Sequence, residues 1–327
     1  MIQSYTTMLS QRRGKTMETS ESVSNPIVIL NPTANRGNMH MHRTLIRNHL
    51  NGEQGTQQTE YIETTRAGEA QERAMHAAQE GRPVIIVGGD GSLHEAVNGI
   101  LSSGHRVPLG IIPAGSGNDY AWNTLKLPRD PREAIERAFH GRVMNSDVGI
   151  VNGKYFANSF SVGLDADIAQ TASWLKKYPL MSGERLYYTA TVRQLLFGYH
   201  KCPWLTFDLD AETPQAQTNS IQKHYVLMAV TNGPTYGAGF RINPTADHTD
   251  GLLDVCTIDY TPLLRALRLL PVVQKGEHSD LPEVTFYRAK TVRIASRFPV
   301  NIQMDGETTS ATSFDAKILP GALLVRV

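Results

Sequence analysis

The chain has 327 residues, with 32 Lys and Arg against 31 Asp and Glu and a formal net charge of +1. That length favours two domains over one. The balanced charge excludes a global basic field for capturing nucleic acid and an acidic, disordered chain. Cys202 and Cys256 are the two cysteines; they make neither a disulfide framework nor a cysteine zinc site, and reduced cytoplasmic thiols are the simplest reading. No apolar run approaches the ~20 residues of a membrane span. The first 24 residues read as a polar tail. Arg12, Arg13 and Lys15 are not followed by the apolar stretch of a secretory signal, and Met17 could serve as an alternative start.

Ordered structure is expected from Pro26. Ile27-Val28-Ile29-Leu30 has the length and continuous apolarity of a strand buried on both faces, and it runs into the turn-forming stretch Asn31 to Gly37. Met41 to Leu50 reads as a helix stopped at Asn51-Gly52, Tyr61 to Thr64 as a strand, and Ala67 to Glu80 as a helix closed by Gly81. Val84 to Val87 is the next buried strand, followed by Gly88-Gly89-Asp90-Gly91-Ser92 and a helix over Leu93 to Leu101. Leu109 to Pro113 is another strand, running into Ala114-Gly115-Ser116-Gly117-Asn118-Asp119. Asp130 to His140 is helical, with Pro131 suited to its first turn. This alternation predicts a parallel α/β domain over 25–150. After Asp147 the texture changes to short strand-like runs ending at Ala322 to Val327, interrupted by helical insertions near 165–199 and 262–275. A β-rich second domain over 151–327 follows, whose last strand could return to the first.

Gly88 to Ser92 sits where a buried strand feeds a helix, so N–H groups without intrahelical partners and the helix dipole both face the loop. Asp90 is anionic and cannot cradle a phosphate; its useful role is to hold Mg²⁺ beside one. Gly115 to Asp119 repeats the pattern. Parallel strands end on one side of a sheet, so both loops and the Asn31–Gly37 turn face one crevice, the place where α/β sheets bind ligands. Three such loops predict a nucleotide-phosphate site.

Together these segments resemble the diacylglycerol-kinase-type catalytic domain of bacterial lipid kinases. The resemblance rests on Asn31-Pro32-Thr33-Ala34-Asn35; on Thr64 with Gly68 and Ala70; on Gly88 through Gly99 with Glu95 and Asn98; and on Pro113 through Ala121. It continues through Asp147-Val148-Gly149, Asn158 to Ala166, Asn243 to Ala246, Asp250 to Val255 and Asp305-Gly306-Glu307, and so covers about 26–327. It implies a Rossmann-like α/β domain of the phosphofructokinase and NAD-kinase type, an antiparallel β-sandwich-like second domain, and an active site in the cleft between them. The implied reaction is ATP-dependent phosphorylation of a lipid hydroxyl with Mg²⁺.

By the same resemblance, Asn31, Pro32, Thr33, Ala34, Asn35, Thr64, Gly88, Gly89, Asp90, Gly91, Ser92, Leu93, His94 and Glu95 contact ATP, as do Gly115, Ser116, Gly117 and Asn118. Asp90, Asp119 and Asp147 make a water-bridged Mg²⁺ network. The general base lies on the late hairpin, with Glu307 favoured and Asp305 as alternative or metal partner. The Asp247 carbonyl, the Asp250 carboxylate and the Leu252 carbonyl hold a structural Mg²⁺, with an Asp-Gly turn that binds no metal as the competing reading. Ser92 and Ser116 stand where Thr is commoner in the family, and His94 where Asn is common. An NAD-kinase-like enzyme and a catalytically silent lipid-binding homologue are the alternatives; the GSGNDYA run, the late DGE and the retained carboxylates weigh against them. The acceptor lipid stays open, and a homodimer is compatible with the sequence but not required by it.

Residues 174–204 carry Lys176, Lys177, Arg185, Arg193 and Lys201 against Glu184 alone, with seven aromatics among them. A basic, aromatic, amphipathic segment of this kind suits a lipid interface, as does Leu263 to Val273. A core-packed helix with a solvated basic face is the competing reading. The expectation is a cytoplasmic enzyme that visits the inner face of the membrane peripherally.

Overall fold

The computed structural model describes residues 25–52, 59–175, 177–178, 183–209, 219–237 and 239–327. The polar-tail and Met17 expectations lie outside them.

Four parallel strands build the first half: β1 (Ile27–Leu30), β2 (Glu60–Glu63), β3 (Val84–Gly88) and β4 (Pro108–Pro113), in the order β4-β3-β1-β2. Their apolar runs are continuous because both faces are covered. Ile27, Ile29, Val84, Ile86, Leu109 and Ile111 point to one side. There they meet Ala70, Ala74 and Ala77 of the helix Glu69–Gln79 and Ala96, Val97 and Ile100 of the helix Asp90–Ser102. Val28, Leu30, Ile85, Val87 and Ile112 point to the other. There they meet Ile46 of the helix His40–Gly52 and Ile135, Ala138 and Phe139 of the helix Pro131–His140. In chain order these helices are α1 (His40–Gly52), α2 (Glu69–Gln79), α3 (Asp90–Ser102) and α4 (Pro131–His140). The Asp130 carboxylate caps α4, accepting the N–H of Arg132 at 2.9 Å and of Glu133 at 3.1 Å, with Pro131 in the first turn.

The second half is mainly antiparallel. It contains β5 (Val143–Val151), β6 (Lys154–Phe156), β7 (Ser159–Gly163), β8 (Trp204–Leu209), β9 (Asn219–Thr231), β10 (Leu253–Asp259), β11 (Val284–Ala289), β12 (Thr291–Met304) and β13 (Glu307–Arg326). Three helices accompany them: α5 (Leu164–Leu175), α6 (Gly183–Phe197) and α7 (Leu263–Lys275). Phe156, Phe160, Phe207, Met228, Val230, Ile302 and Phe314 form its core.

The two halves share one hydrogen-bonded sheet. Strand β13 leaves the hairpin with β12, runs antiparallel to β5, and ends parallel to β4 with Leu324 opposite Pro108 and Val325 opposite Leu109. The predicted fold class is present. The continuity between its halves comes from this one 20-residue strand, of which the sequence displayed only the final run, Ala322 to Val327.

Candidate active site

The glycine loops touch each other. A Cβ on Gly89 would lie 3.0 Å from the Cα of Gly115, and one on Gly115 would lie 2.4 Å from the Cα of Gly89. Neither position accepts a side chain without moving backbone, so the strand ends of β3 and β4 are brought together by the absence of Cβ atoms. Asn118 fixes the second loop. Its Oδ1 accepts the Gly115 N–H at 3.0 Å and its Nδ2 donates to the Gly115 carbonyl at 2.7 Å. Its own φ of +54° is one that Asn tolerates better than most residues.

The α3 helix starts at Asp90, so the expected loop residues Asp90, Gly91 and Ser92 form its first turn. Gly89 caps this end without a side-chain hydrogen bond, which leaves the helix N-terminus facing the crevice. Asn31 reaches over from the end of β1 and donates to Ser92 Oγ at 2.9 Å. The Asn31 Oδ1 in turn accepts from the Thr33 N–H at 3.0 Å and hydroxyl at 2.8 Å. Three strand ends therefore converge as the sequence predicts.

Asp90 is largely buried and accepts the Asn118 N–H at 2.8 Å. A Cβ on Gly117 would stand 2.7 Å from Asp90 Oδ2 and 3.8 Å from Asp119 Oδ2, so both carboxylates border the same glycine. Burial, reinforced by the Asp119 charge, pushes the Asp90 carboxyl up to about 6, against the pull of the Asn118 N–H. Asp119 is held by Asn123 Nδ2 and Thr235 Oγ1, each at 3.0 Å from its Oδ1. A largely buried carboxylate whose proton affinity a neighbouring carboxylate raises forms with it the oxygen-donor set that a hard divalent cation neutralises, and these residues fit Mg²⁺.

The second domain enters through the β12–β13 hairpin, whose two-residue turn has positive φ at both Asp305 (+44°) and Gly306 (+96°). Asp-Gly is the pair that tolerates this geometry. The Asp305 carboxylate accepts three backbone N–H groups, from Ala157 at 2.8 Å, Asn158 at 3.2 Å and Ser159 at 2.9 Å. It thereby anchors the hairpin to the turn before β7. Glu307 is exposed at the mouth of the crevice, its Oε1 3.9 Å from where a Cβ of Gly91 would be. His94 Nδ1 lies 3.6 Å from Asp305 Oδ2. The linking residues Thr235 and Asn123 had no sequence signal of their own, because ordinary polar residues join the site only through long-range folding.

Several residues of the expected site have other engagements. Leu93 is packed in the core between α3 and the sheet. Glu95 caps α2, accepting the N–H of Gly68 at 2.9 Å and of Ala70 at 3.1 Å. Asp147 turns its carboxylate to the N–H of Gly251 at 2.7 Å and of Gly321 at 2.6 Å. Its contacts tie the 247–252 loop to β13.

Of the oxygens expected to hold a structural Mg²⁺, the Asp247 and Leu252 carbonyls and the Asp250 carboxylate, the carboxylate has other partners. Asp247 bonds the Thr249 N–H at 3.0 Å and hydroxyl at 2.7 Å, and Asp250 Oδ1 accepts the Leu252 N–H at 3.0 Å. Asp250 Oδ2 is taken by the Arg288 guanidinium, which also lies 3.4 Å from Asp254. A guanidinium supplies the positive charge a cation would bring. Arg288→Ala should therefore lower unfolding stability by about 1–2 kcal/mol, a modest value because solvent screens this part-exposed pair. It should also make the melting temperature respond to Mg²⁺ or EDTA more strongly than that of wild type, whose response comes from the Asp90–Asp119 pair. Equal melting of both proteins under both conditions would refute this role.

A crevice that pairs an uncapped helix N-terminus with two buried carboxylates and a carboxylate from a second domain belongs to a phosphotransferase with an alcohol acceptor. Comparison with known proteins gives the same class. The family described as "Diacylglycerol kinase catalytic domain" matches residues 25–151. The one described as "YegS C-terminal NAD kinase beta sandwich-like domain" matches residues 158–327.

The chain belongs to this family of diacylglycerol-kinase-type lipid kinases. It is 32% identical over 247 residues to a diacylglycerol kinase of Mycobacterium tuberculosis, covering 74% of this chain and 75% of that one. With the diacylglycerol kinase of Bacillus subtilis it shares 28% over 282 residues, 86% and 88% of the two chains. The crystal structure of a Bacillus anthracis diacylglycerol kinase has the same fold, with a TM-score of 0.69 and 21% identity over 92% of this chain and 96% of that one.

Proposed function

We propose that the chain transfers the γ-phosphoryl group of ATP to the hydroxyl of diacylglycerol, or of a lipid presenting a single hydroxyl in the same way, with Mg²⁺ bound by Asp90 and Asp119. The observation that carries this reading is the delivery of Glu307 to the first turn of α3, beside the Asp90–Asp119 pair. Transfer of a phosphoryl group is mostly positioning and charge neutralisation. The α3 N-terminus and the Gly89–Gly115 contact would receive the phosphates, while Asn31 and Asn118 hold the loops in shape. Mg²⁺, when bound, supplies the charge that offsets the phosphate oxygens. Glu307 takes the proton of the acceptor hydroxyl; the oxygen then attacks the γ-phosphorus and the bond to ADP breaks. Asp305 holds the hairpin that carries Glu307.

The lipid would be reached from a membrane surface. No helix among the described residues is long and apolar enough to cross a membrane. Helix α7, however, exposes Leu264 by 72%, Leu267 by 42% and Leu270 by 48% on one stripe, beside the exposed Arg268 and Lys275. Leucines presented to water with basic neighbours suit an anionic lipid interface. In 174–204, Tyr188, Leu196, Phe197 and Trp204 are also more than half exposed, whereas Leu186, Ala190 and Tyr199 pack inward. That segment therefore divides between the two readings the sequence left open.

The test is a labelled-ATP assay with Mg²⁺ over a panel of diacylglycerol, phosphatidylglycerol, sphingoid base and polyprenol, with products identified by mass. Phosphatidic acid is the expected product. Transfer to NAD and to no lipid, or vesicle binding without any transfer, would overturn the proposal.

A further inference from the structure

On the opposite side of the sheet from the α2–α3 layer, α1 and α4 bring together His49, Glu136 and His140. Each offers one ligand atom, and the three atoms lie within 4.8 Å of one another. Glu136 and His140 are four residues apart on α4 and so share a face, while His49 comes from the last turn of α1. The arrangement is supported from beneath. Ile46 of α1 and Ile135, Ala138 and Phe139 of α4 are packed into the same core. The His49 ring lies 4.5 Å from the Phe139 ring and 5.7 Å from the His140 ring, centroid to centroid. Two packed helices thus hold the imidazoles as neighbours.

We propose that His49, Glu136 and His140 bind one zinc-class divalent ion, clamping the end of α1 to the end of α4. Two imidazole nitrogens and one carboxylate oxygen are the donors such an ion prefers, with a fourth position left for water. Mg²⁺ selects oxygen ligands and is a poor competitor here. The site is therefore chemically separate from the Asp90–Asp119 crevice, and neither reading depends on the other. The set is completed only by folding, because its members are 87 or more residues apart across the two helices; the ion consequently stabilises the folded chain.

Zn²⁺ competition titration against a chromogenic chelator tests this on the full chain, in buffer with millimolar Mg²⁺. Wild type is expected to bind one Zn²⁺ per chain and to melt at a higher temperature with it. Glu136 and His140 are exposed, so His140→Ala and Glu136→Gln keep the fold. Each should weaken Zn²⁺ binding at least tenfold and remove the shift in melting. Substitution with Co²⁺ should give a visible absorption band in wild type that His140→Ala lacks. Absence of stoichiometric binding by wild type, displacement of Zn²⁺ by Mg²⁺, or equal affinity in wild type and both variants would overturn the proposal.

Discussion

Replacing Asp90 with Asn should lower phosphoryl transfer by more than ~10² and, in the absence of Mg²⁺, make the protein more stable. The activity loss follows from removing a carboxylate where phosphate charge must be offset. The stability gain follows from the environment that makes the residue useful. Burial and the Asp119 charge raise the Asp90 carboxyl to about 6 in the folded chain, above its unfolded value. The folded state thus binds the proton more tightly, and the ionised group destabilises the fold at neutral pH, by on the order of 2–3 kcal/mol. An Asn side chain carries no charge, and its oxygen can still accept the Asn118 N–H. The variant's advantage should be full above pH 6, shrink as the pH falls toward 4, and disappear once wild-type Asp90 is protonated in both states. Mg²⁺ should narrow it at neutral pH by stabilising wild type alone, and Mg²⁺ affinity should itself fall below about pH 6, where the ion displaces a proton. Melting curves from pH 4 to 8, with and without Mg²⁺, measure all of this. A variant no more stable than wild type at pH 7.5 without the ion would refute the electrostatic account of Asp90.

The site's legibility in the sequence follows the physics of each residue. Glycines that meet backbone to backbone leave a local mark, so the Gly89–Gly115 contact was visible as two strand-end loops. Asp90 and Asp119 were visible for the same reason, since each belongs to one of those loops. Glu95 and Asp147 were legible as acidic residues within the family-like motifs but not in the contacts they make. What a carboxylate does depends on which N–H groups the fold aims at it, and here those come from Gly68 and Ala70 and from Gly251 and Gly321. Arg288 is 38 residues from Asp250 and pairs across the β10–β11 ladder with Asp254, so its part in the 247–252 loop depends on register. Strand β5 was hidden for another reason. Its sequence VMNSDVGIV mixes apolar and polar residues without alternation, because its polar members Ser146 and Asp147 are buried and bonded at the domain junction.

Glu307→Gln and Asp305→Asn should separate the two carboxylates that the sequence could not rank. Glu307 is exposed, so its amide should leave melting unchanged and leave the apparent affinity for ATP near wild type. Without a proton acceptor beside the lipid hydroxyl, kcat should fall by more than ~10². Asp305 is held by the N–H groups of Ala157, Asn158 and Ser159, and an amide can match them with its oxygen only. Its Nδ2 would turn a donor toward a donor, leaving at least one buried N–H poorly paired. A loss of about 1–3 kcal/mol in stability is therefore expected for Asp305→Asn. Its effect on transfer should run through a displaced Glu307, raising KM for the lipid as well as lowering kcat. Melting temperature and the split between kcat and KM thus give opposite signatures for a catalytic base and a positioning residue. If Glu307→Gln kept its kcat while Asp305→Asn lost transfer at unchanged melting temperature, the roles would be exchanged: Asp305 would be the base and its backbone bonds the means of aiming it.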